Sequence, residues 1–482
     1  MVEKDKRMIK KDKKGLVKLP AKASVWYLAV SLISKGIGVI TTPLFTRLLD
    51  GDAYGQFALY MTLLGIGSVV CSAFNSGSGL YRGLRKNEKK KQEYVKATLV
   101  VSIAVSLLLC LLLFAFSPFF ELKKVYFIPL SLQLLCDGIT AVLLSSERYY
   151  YKYKTIAAVS IASAVLPPLI SIFILMNGGA GYSVRIYSLL FVSIFVAIFS
   201  LIRILRKTGE NNIKPIGSLV REAIIFTLPM LPHSVSSALT AQADKLIISS
   251  LLGATALGKY SVVFSLGIAL QFIINAVGSA LSPWIIRRLE AGEGKKIAEL
   301  ATPMALGYSA LSLCLIAVAP EALAILAPPE FYEAFPALLP IALSTPFFFI
   351  STVATVGIVH SGRTGYSLIV SAASALACVI LNYTLIGKFG YLGAGLAFLI
   401  CQALGAILSV GLLSRTDDKK MIDDKKTFLL IFISMPLGAL TYMLRESILG
   451  RVIVLIIPAL MLLYCLNKAR GLVVEKRLKN AS

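Results

Sequence analysis

Four charged side chains lie in or beside stretches that are otherwise apolar, which makes them the first candidates for chemistry. Asp244 and Lys245 are adjacent in one such stretch, Lys35 lies in the middle of an earlier one, and Arg47 follows at its end. A charge in hydrocarbon costs about 3 kcal/mol even on lenient scales, so such groups usually face a cavity, a partner or a bound molecule. Lys and Arg bind phosphate groups well, so the pattern favours an anion-binding site. The alternative is that Asp244 and Lys245 belong to a structural ion pair between helices.

Two protonatable residues point to a second kind of chemistry. Asp137 lies in the fourth apolar stretch and His233 in the seventh. A carboxyl or imidazole at membrane depth can bind and release a proton, which makes both residues candidates for ion coupling. A lone buried histidine is more often a packing residue, and this interpretation stays open for His233.

Glycine and proline interrupt two of the apolar stretches at corresponding places. The first stretch contains Gly36, Gly38 and Pro43, and the seventh contains Pro229 and Pro232. Each proline removes a helix hydrogen bond and tends to bend the helix. Interrupted helices at matching positions of two halves are typical of transporter binding sites, so these five residues are candidate hinges. The alternative is that Gly and Pro are simply commoner in membrane helices.

The elements that carry these residues are membrane helices. Of the 482 residues, 57% are hydrophobic and 15% are charged, against about 25% charged in an ordinary soluble protein. Apolar runs of about 20 residues, enough to cross about 30 Å of hydrocarbon, recur from one end to the other. The predicted fold is therefore an all-α membrane protein with about 14 transmembrane helices.

The distribution of Lys and Arg predicts the orientation of the chain. With the N-terminus placed in the cytoplasm, 39 of the 49 Lys and Arg residues fall in cytoplasmic segments and 8 in the opposite loops, the other two being Lys35 and Lys245. Basic residues are retained on the cytoplasmic side of a membrane. We therefore expect a multi-pass protein of the cytoplasmic membrane with both termini inside. The net charge of +24 then reflects topology, and no nucleic-acid partner is expected.

An internal repeat divides the chain into two halves. Residues 48–57 match residues 251–260 at an offset of 203. Six membrane crossings preserve orientation, so the halves are expected to be parallel six-helix bundles with a cavity between them. The predicted domains are a basic cytoplasmic tail, the first bundle, a cytoplasmic linker, the second bundle, and an extra helix pair with a basic tail: 1–24, 25–206, 207–221, 222–414 and 415–482.

No motif indicates an enzyme, a metal site or a cofactor. The chain has no HExxH, P-loop or GxSxG motif, and its seven cysteines form no CxxC pair. A membrane-embedded glycosyltransferase or polymer ligase normally has a larger external loop with acidic or Arg residues. The longest predicted external loop, near residues 320–336, has three glutamates but no Lys or Arg. We therefore expect a non-enzymatic protein without metal or cofactor.

Four short segments resemble one transporter family. They are Thr46-Arg47-Leu48-Leu49, Ala53-Tyr54-Gly55-Gln56-Phe57, Ala243-Asp244-Lys245-Leu246-Ile247-Ile248 and Gly258-Lys259-Tyr260. The chain resembles the polysaccharide flippases of the multidrug/oligosaccharidyl-lipid/polysaccharide exporter superfamily. This resemblance implies twelve core helices in two bundles, often with two more, that work by alternating access.

The resemblance also implies a cargo and roles for the charged residues. The cargo would be an oligosaccharide on undecaprenyl pyrophosphate, moved to the outer leaflet for capsule, exopolysaccharide or related envelope polymers. Lys35 and Arg47 would hold the pyrophosphate, and Asp244 with Lys245 would form the facing part of the cavity or a gate. Membrane lipid, a polysaccharide polymerase and glycosyltransferases are the partners expected with it.

Two other cargoes remain as alternatives. A cation-coupled multidrug antiporter of the same superfamily is expected to have a cavity dominated by acids. The segment Ser34-Lys35-Gly36 also resembles the Ser-Arg-x-x-Gly pattern of lipid II flippases, with Lys in place of Arg and without the second Arg that usually follows.

Overall fold

The structure is a computed structural model that describes most of the chain. It covers Trp26 and residues 29–30, 33–34, 36–73, 77–120, 122–206, 216–228, 231–416, 418 and 421–479. Within these residues the chain forms α-helices and short 3₁₀ turns and no β-strand. The predicted all-α membrane fold is thereby confirmed. Of the candidate site residues, Lys35 and Pro229 lie outside the described residues.

The helices are numbered in chain order, with α1 standing for the continuous helical run 36–48. The next seven are α2 Gly51–Ala73, α3 Gly77–Lys86, α4 Lys91–Ala115, α5 Phe127–Tyr149, α6 Tyr153–Met176, α7 Ser183–Arg206 and α8 Ile216–Thr227. The remaining nine are α9 Leu231–Leu252, α10 Ala254–Gly267, α11 Ala269–Glu290, α12 Gly294–Leu326, α13 Leu338–Leu343, α14 Thr345–His360, α15 Thr364–Leu413, α16 Asp424–Met443 and α17 Ile448–Lys479.

The chain divides into two compact units. The first comprises residues 1–49 and 60–235, and the second comprises 50–59 and 236–482. Helix α8 belongs to the first unit because its Leu219 and Ala223 are buried in the same core as Leu80, Leu84 and Tyr94. This division falls later than residue 222, where the sequence places the start of the second bundle, and the predicted domain boundaries stay a prediction.

Many of the helices are long enough to span a bilayer. In the part of the chain that the structure describes, nine helices are long and apolar enough, or up to eleven if each of two bent pairs is one span. Large apolar side chains are exposed on the helix surfaces, as on α4, where Leu107, Leu108 and Leu111 are more than half exposed. Such surfaces suit contact with lipid tails rather than water. The predicted count of about 14 spans stays a prediction.

Helix α15 is a pair of helices that reverses at Gly390. Its 50 residues would be about 75 Å long as one helix, far more than a bilayer needs. Gly390 has φ 56° and ψ −130°, a conformation that favours glycine. A β-carbon on Gly405 would lie 3.3 Å from the hydroxyl of Ser374, which is 31 residues earlier. The two arms therefore run back along each other.

The two segments matched by the repeat contact each other within the second unit. A β-carbon on Gly55 would overlap the carbonyl of Ala254, and one on Gly258 would lie 2.6 Å from the carbonyl oxygen of Gly51 and 2.9 Å from the nitrogen of Gly55. At the repeat offset of 203, Gly55 corresponds to Gly258 and Gly51 to Ala254. The contact is thus reciprocal. Only small residues allow two helix backbones to approach this closely.

The C-terminal helix pair packs on α12. The guanidinium of Arg451 in α17 donates to both carboxylate oxygens of Glu321, at 2.6 and 2.5 Å, and to the carbonyl of Ala317 at 2.7 Å. At another level, the hydroxyls of Thr302 and Thr427 are 2.8 Å apart, which joins α12 to α16. The extra helix pair is therefore fixed to the second unit by polar bonds as well as by packing.

Candidate functional site

Asp137 lies in a group of polar side chains from three helices of the first unit. The hydroxyl of Ser68, in α2, donates to Asp137 Oδ2 at 2.9 Å. Gln133 lies one turn before Asp137 in α5, and its Nε2 donates to Asp137 Oδ1 at 3.0 Å and to the hydroxyl oxygen of Ser193, in α7, at 2.6 Å. The four residues form a continuous hydrogen-bonded group that we call the Asp137 group.

The Asp137 group has a closed end and an open end. Gln133 is 2% exposed and Ser193 is buried, whereas Asp137 and Ser68 are partly exposed. The Oε1 atom of Gln133 is buried and has no hydrogen-bond partner among the described residues. An unsatisfied buried amide oxygen costs free energy. This oxygen therefore has the capacity to accept a hydrogen bond or to bind a cation.

Asp244 is sealed inside the second unit. It is 1% exposed, and its Oδ2 accepts a hydrogen bond of 2.7 Å from the hydroxyl of Tyr260 in α10. Lys245 turns away from it: the ammonium donates to Gln242 Oε1 at 2.8 Å and lies 4.5 Å above the ring of Phe264. Asp244 and Lys245 therefore do not neutralise each other by direct bonding, as their 100° separation on a helix predicts.

Arg47 and Pro43 are coupled through the backbone of α1. The guanidinium of Arg47 is exposed and donates to the carbonyl of Pro43 at 2.8 Å. One turn earlier, the hydroxyls of Thr41 and Thr42 donate to the carbonyls of Ile37 and Gly38, both at 2.8 Å. Hydroxyl groups that bond backbone carbonyls in this way let a membrane helix tolerate a proline.

The remaining candidate hinges differ in what surrounds them. A β-carbon on Gly36 or Gly38 would meet no atom within 4 Å, so packing does not require glycine at either position. Pro232 is exposed in the first turn of α9, where proline costs no helix hydrogen bond. The predicted hinge residue Pro229 lies outside the described residues.

A sequence comparison decides the family. Residues 21–288 match the family described as polysaccharide biosynthesis protein. This match covers more than half of the 482 residues. The chain belongs to the polysaccharide biosynthesis protein family. The resemblance to polysaccharide flippases is thereby confirmed.

One relative of the chain has a descriptive name. The succinoglycan biosynthesis transport protein ExoT of Rhizobium meliloti (strain 1021) is 25% identical over 268 residues, which are 52% of this chain and 52% of ExoT. The match thus spans about half of the relative.

Solved structures share the fold over nearly the whole chain. A lipid II flippase MurJ in an inward closed conformation has a TM-score of 0.68 at 14% identity, over 92% of this chain and 99% of MurJ. The MATE multidrug transporter DinF-BH has a TM-score of 0.62 at 18% identity, over 84% of this chain and 96% of the transporter. At these identities the likeness establishes the fold alone. This member of the polysaccharide biosynthesis family is thus a multi-pass membrane protein with a transporter fold.

The structure brings few of the sequence candidates together. Asp137 bonds neutral side chains, Asp244 bonds Tyr260, and Arg47 bonds its own helix. His233 lies in the first turn of α9, partly exposed, and is not a hydrogen-bond partner of Asp137. In the described part of this family member, no group of three His, Cys, Asp or Glu side chains could hold a metal ion.

Three partners were not evident from the sequence of this family member. Ser68 and Ser193 lie 69 and 56 residues from Asp137, so no local spacing reveals them. Tyr260 lies 16 residues from Asp244, beyond the turn at Gly253. The spacing that the sequence does offer is the i,i+4 pair of Gln133 and Asp137, which places both side chains on one face of a helix.

Proposed function

We propose that this protein is a flippase that moves oligosaccharide repeat units linked to undecaprenyl pyrophosphate across the cytoplasmic membrane by alternating access. The product would serve capsule, exopolysaccharide or another envelope polysaccharide. The observation that carries this proposal is the match of residues 21–288 to the polysaccharide biosynthesis family. The name of ExoT, a succinoglycan biosynthesis transport protein, and the transporter fold support it.

Lys245 is the described cation best suited to receive a pyrophosphate group. Its ammonium bonds a neutral amide and an aromatic face rather than the carboxylate of Asp244, so its positive charge is not cancelled by a direct ion pair. The hydrogen bond from Tyr260 holds Asp244 in place beside it. Lys35 and the exposed Arg47 complete the proposed phosphate contacts from the other half of the repeat.

Movement of the first and seventh spans would expose the site to each side of the membrane in turn. One hinge is proposed at Pro229 and Pro232, the two prolines of the seventh apolar stretch. The space around Gly36 and Gly38, together with the hydroxyl bonds before Pro43, supports a second hinge in α1. In this proposal both termini face the cytoplasm, and a polymerase and glycosyltransferases act on the same lipid-linked units.

Deletion of the gene tests the function directly. Lipid-linked repeat units should accumulate on the cytoplasmic side of the membrane, and the surface polysaccharide should disappear. Reintroduction of the wild-type chain should reverse both effects. Normal export in the deletion strain would contradict the proposal.

A cation-coupled multidrug antiporter is the second candidate function. It is favoured by the Asp137 group, in which a carboxylate at membrane depth has only neutral hydrogen-bond partners among the described residues. Dye efflux from a sensitive host, lost on Asp137→Asn, would support it over the flippase. A lipid II cargo would be indicated instead if the chain sustained growth of cells depleted of their own lipid II flippase.

A further inference from the structure

We infer that Ser68, Gln133, Asp137 and Ser193 form a binding site for one monovalent cation, a proton or a sodium ion, within the first unit. None of these four residues is among those proposed to bind the phosphate cargo. The inference concerns ion binding and does not depend on which cargo is moved.

The negative charge of Asp137 is not balanced by the described side chains that bond it. Its two bonded partners, the hydroxyl of Ser68 and the amide of Gln133, are neutral. Among the described side chains, Tyr60 and Cys71 in α2 and Cys136 in α5 interact with its charge, and none of these three can carry a positive charge. The ionised carboxylate is therefore uncompensated by the described residues that surround it. A carboxylate at membrane depth without such compensation favours uptake of a cation.

Two other acids in the helices each have a cation beside them. The carboxylate of Glu147, which is fully buried, lies 3.4 Å from the guanidinium of Arg203. Glu321 is held by two hydrogen bonds from Arg451. Each of these two acids is paired with an arginine, whereas Asp137 bonds only neutral side chains among the described residues.

The amide of Gln133 can supply an oxygen to a bound cation. Its Nε2 lies between Asp137 Oδ1 and the Ser193 hydroxyl oxygen, two oxygens that could bind a cation, while its Oε1 has no partner among the described residues. The amide nitrogen thus stands where an ion would be attracted. When an ion binds, rotation of the amide by about half a turn would replace the nitrogen by Oε1 and satisfy it. The site would then present oxygens from a carboxylate, an amide and two hydroxyls, which suit a hard cation.

The Asp137 group is partly exposed at one end. Asp137 and Ser68 are partly exposed, whereas Gln133 and Ser193 close the inner end. Part of Asp137 and Ser68 is therefore at the surface of the unit, as the approach of an ion requires. A single carboxylate balances one positive charge, which favours a proton or sodium over a divalent metal.

Ion binding to the purified full-length chain tests the site. We expect the wild type in nanodiscs to bind one sodium ion with saturation in a radioactive sodium assay, or to take up one proton that Asp137→Asn does not take up. Sodium binding accompanied by proton release would mean that the two ions compete for Asp137. Glu446→Gln, which removes the charge of an exposed carboxylate outside the Asp137 group, is the control and should bind as the wild type does.

A second variant keeps the test decisive if Asp137→Asn folds poorly. Ser193→Ala should retain the fold and weaken sodium binding about tenfold, or shift the proton uptake, because one oxygen is lost. Equal sodium binding and equal proton uptake by the wild type, Asp137→Asn and Ser193→Ala would overturn the inference. This result would leave the cargo proposal intact, since that proposal is tested by accumulation of lipid-linked units.

Discussion

Each of the two units contains an aspartate at membrane depth. The two aspartates differ in their exposure and in their hydrogen-bond partners. Asp137 of the first unit is partly exposed and bonded to neutral side chains from two helices. Asp244 of the second unit is 1% exposed and bonded to Tyr260, with Lys245 next to it in sequence. In the proposals above, the partly exposed Asp137 therefore binds a cation, whereas the buried Asp244 holds Lys245 and Tyr260 in place. Only the surroundings, which come from distant residues, separate the two roles.

The largest effect on export is expected at Lys245, whose ammonium forms no direct ion pair with Asp244. Lys245→Ala should lower export of lipid-linked oligosaccharide about tenfold or more, because a hydrogen bond to a charged group contributes roughly 2 kcal/mol. Membrane abundance should stay near that of the wild type. Export can be measured as surface polysaccharide per cell, with protein quantified by immunoblot.

Lys259→Ala is the matched control for this prediction. Lys259 forms an ion pair with the exposed Glu333, and such pairs contribute little. Export should be unchanged. A loss of abundance in Lys245→Ala with normal export per molecule would instead assign Lys245 a structural role.

The next effect concerns stability of the sealed acid. Tyr260→Phe removes the hydroxyl that bonds Asp244 and should lower the free energy of unfolding by about 1–3 kcal/mol, because a buried carboxylate loses its donor. The melting temperature of the purified protein measures this. Tyr383→Phe, at a tyrosine 64% exposed, should leave it unchanged. Equal melting temperatures for all three proteins would contradict the role given to Tyr260.

A smaller effect is expected at Arg47, on the same side of the comparison as Asp137. Arg47→Ala should reduce export about fivefold, since the exposed guanidinium has water as a competitor for phosphate. Arg47→Lys should recover part of the loss, because it keeps the charge but not the paired geometry. The same surface-polysaccharide assay applies. Identical export by Arg47→Ala and wild type would remove Arg47 from the site.

The smallest effect should distinguish the open acid. Ser68→Ala removes one donor to Asp137 and should change the free energy of unfolding by less than about 1 kcal/mol while altering the response of the melting temperature to sodium or pH. Ser72→Ala is the control, since its hydroxyl bonds only the carbonyl of Val69 in the same helix among the described contacts. An unchanged ion response in Ser68→Ala would place the ion elsewhere.

Hydrophobicity predicted the fold class well, because every stretch that crosses a membrane must satisfy its own backbone groups as a helix. Partners could not be predicted in the same way. Asp244 was expected to form part of a cavity or gate with Lys245, or else a structural ion pair, and these expectations stay predictions. Its bond to Tyr260 of the next helix was not foreseen, because it spans a turn whose geometry the sequence does not encode locally.

The Asp137 group illustrates the same limit. The pair Gln133 and Asp137 follows from helical spacing, whereas Ser68 and Ser193 join it only when α2 and α7 pack beside α5. Serines are common in membrane helices, so their presence alone carries no signal. A sequence can thus announce an acid at membrane depth but not whether it is open or sealed.

The reciprocal contact of Gly55 with Gly258 has a consequence for a chain of half the length. A contact in which each segment meets the equivalent part of the other is what a two-fold symmetric dimer has at its axis. A half-length chain with only one of the two segments could form the same crossing only by pairing with a second copy of itself. No side chain larger than hydrogen fits at the centre of this crossing between α2 and α10.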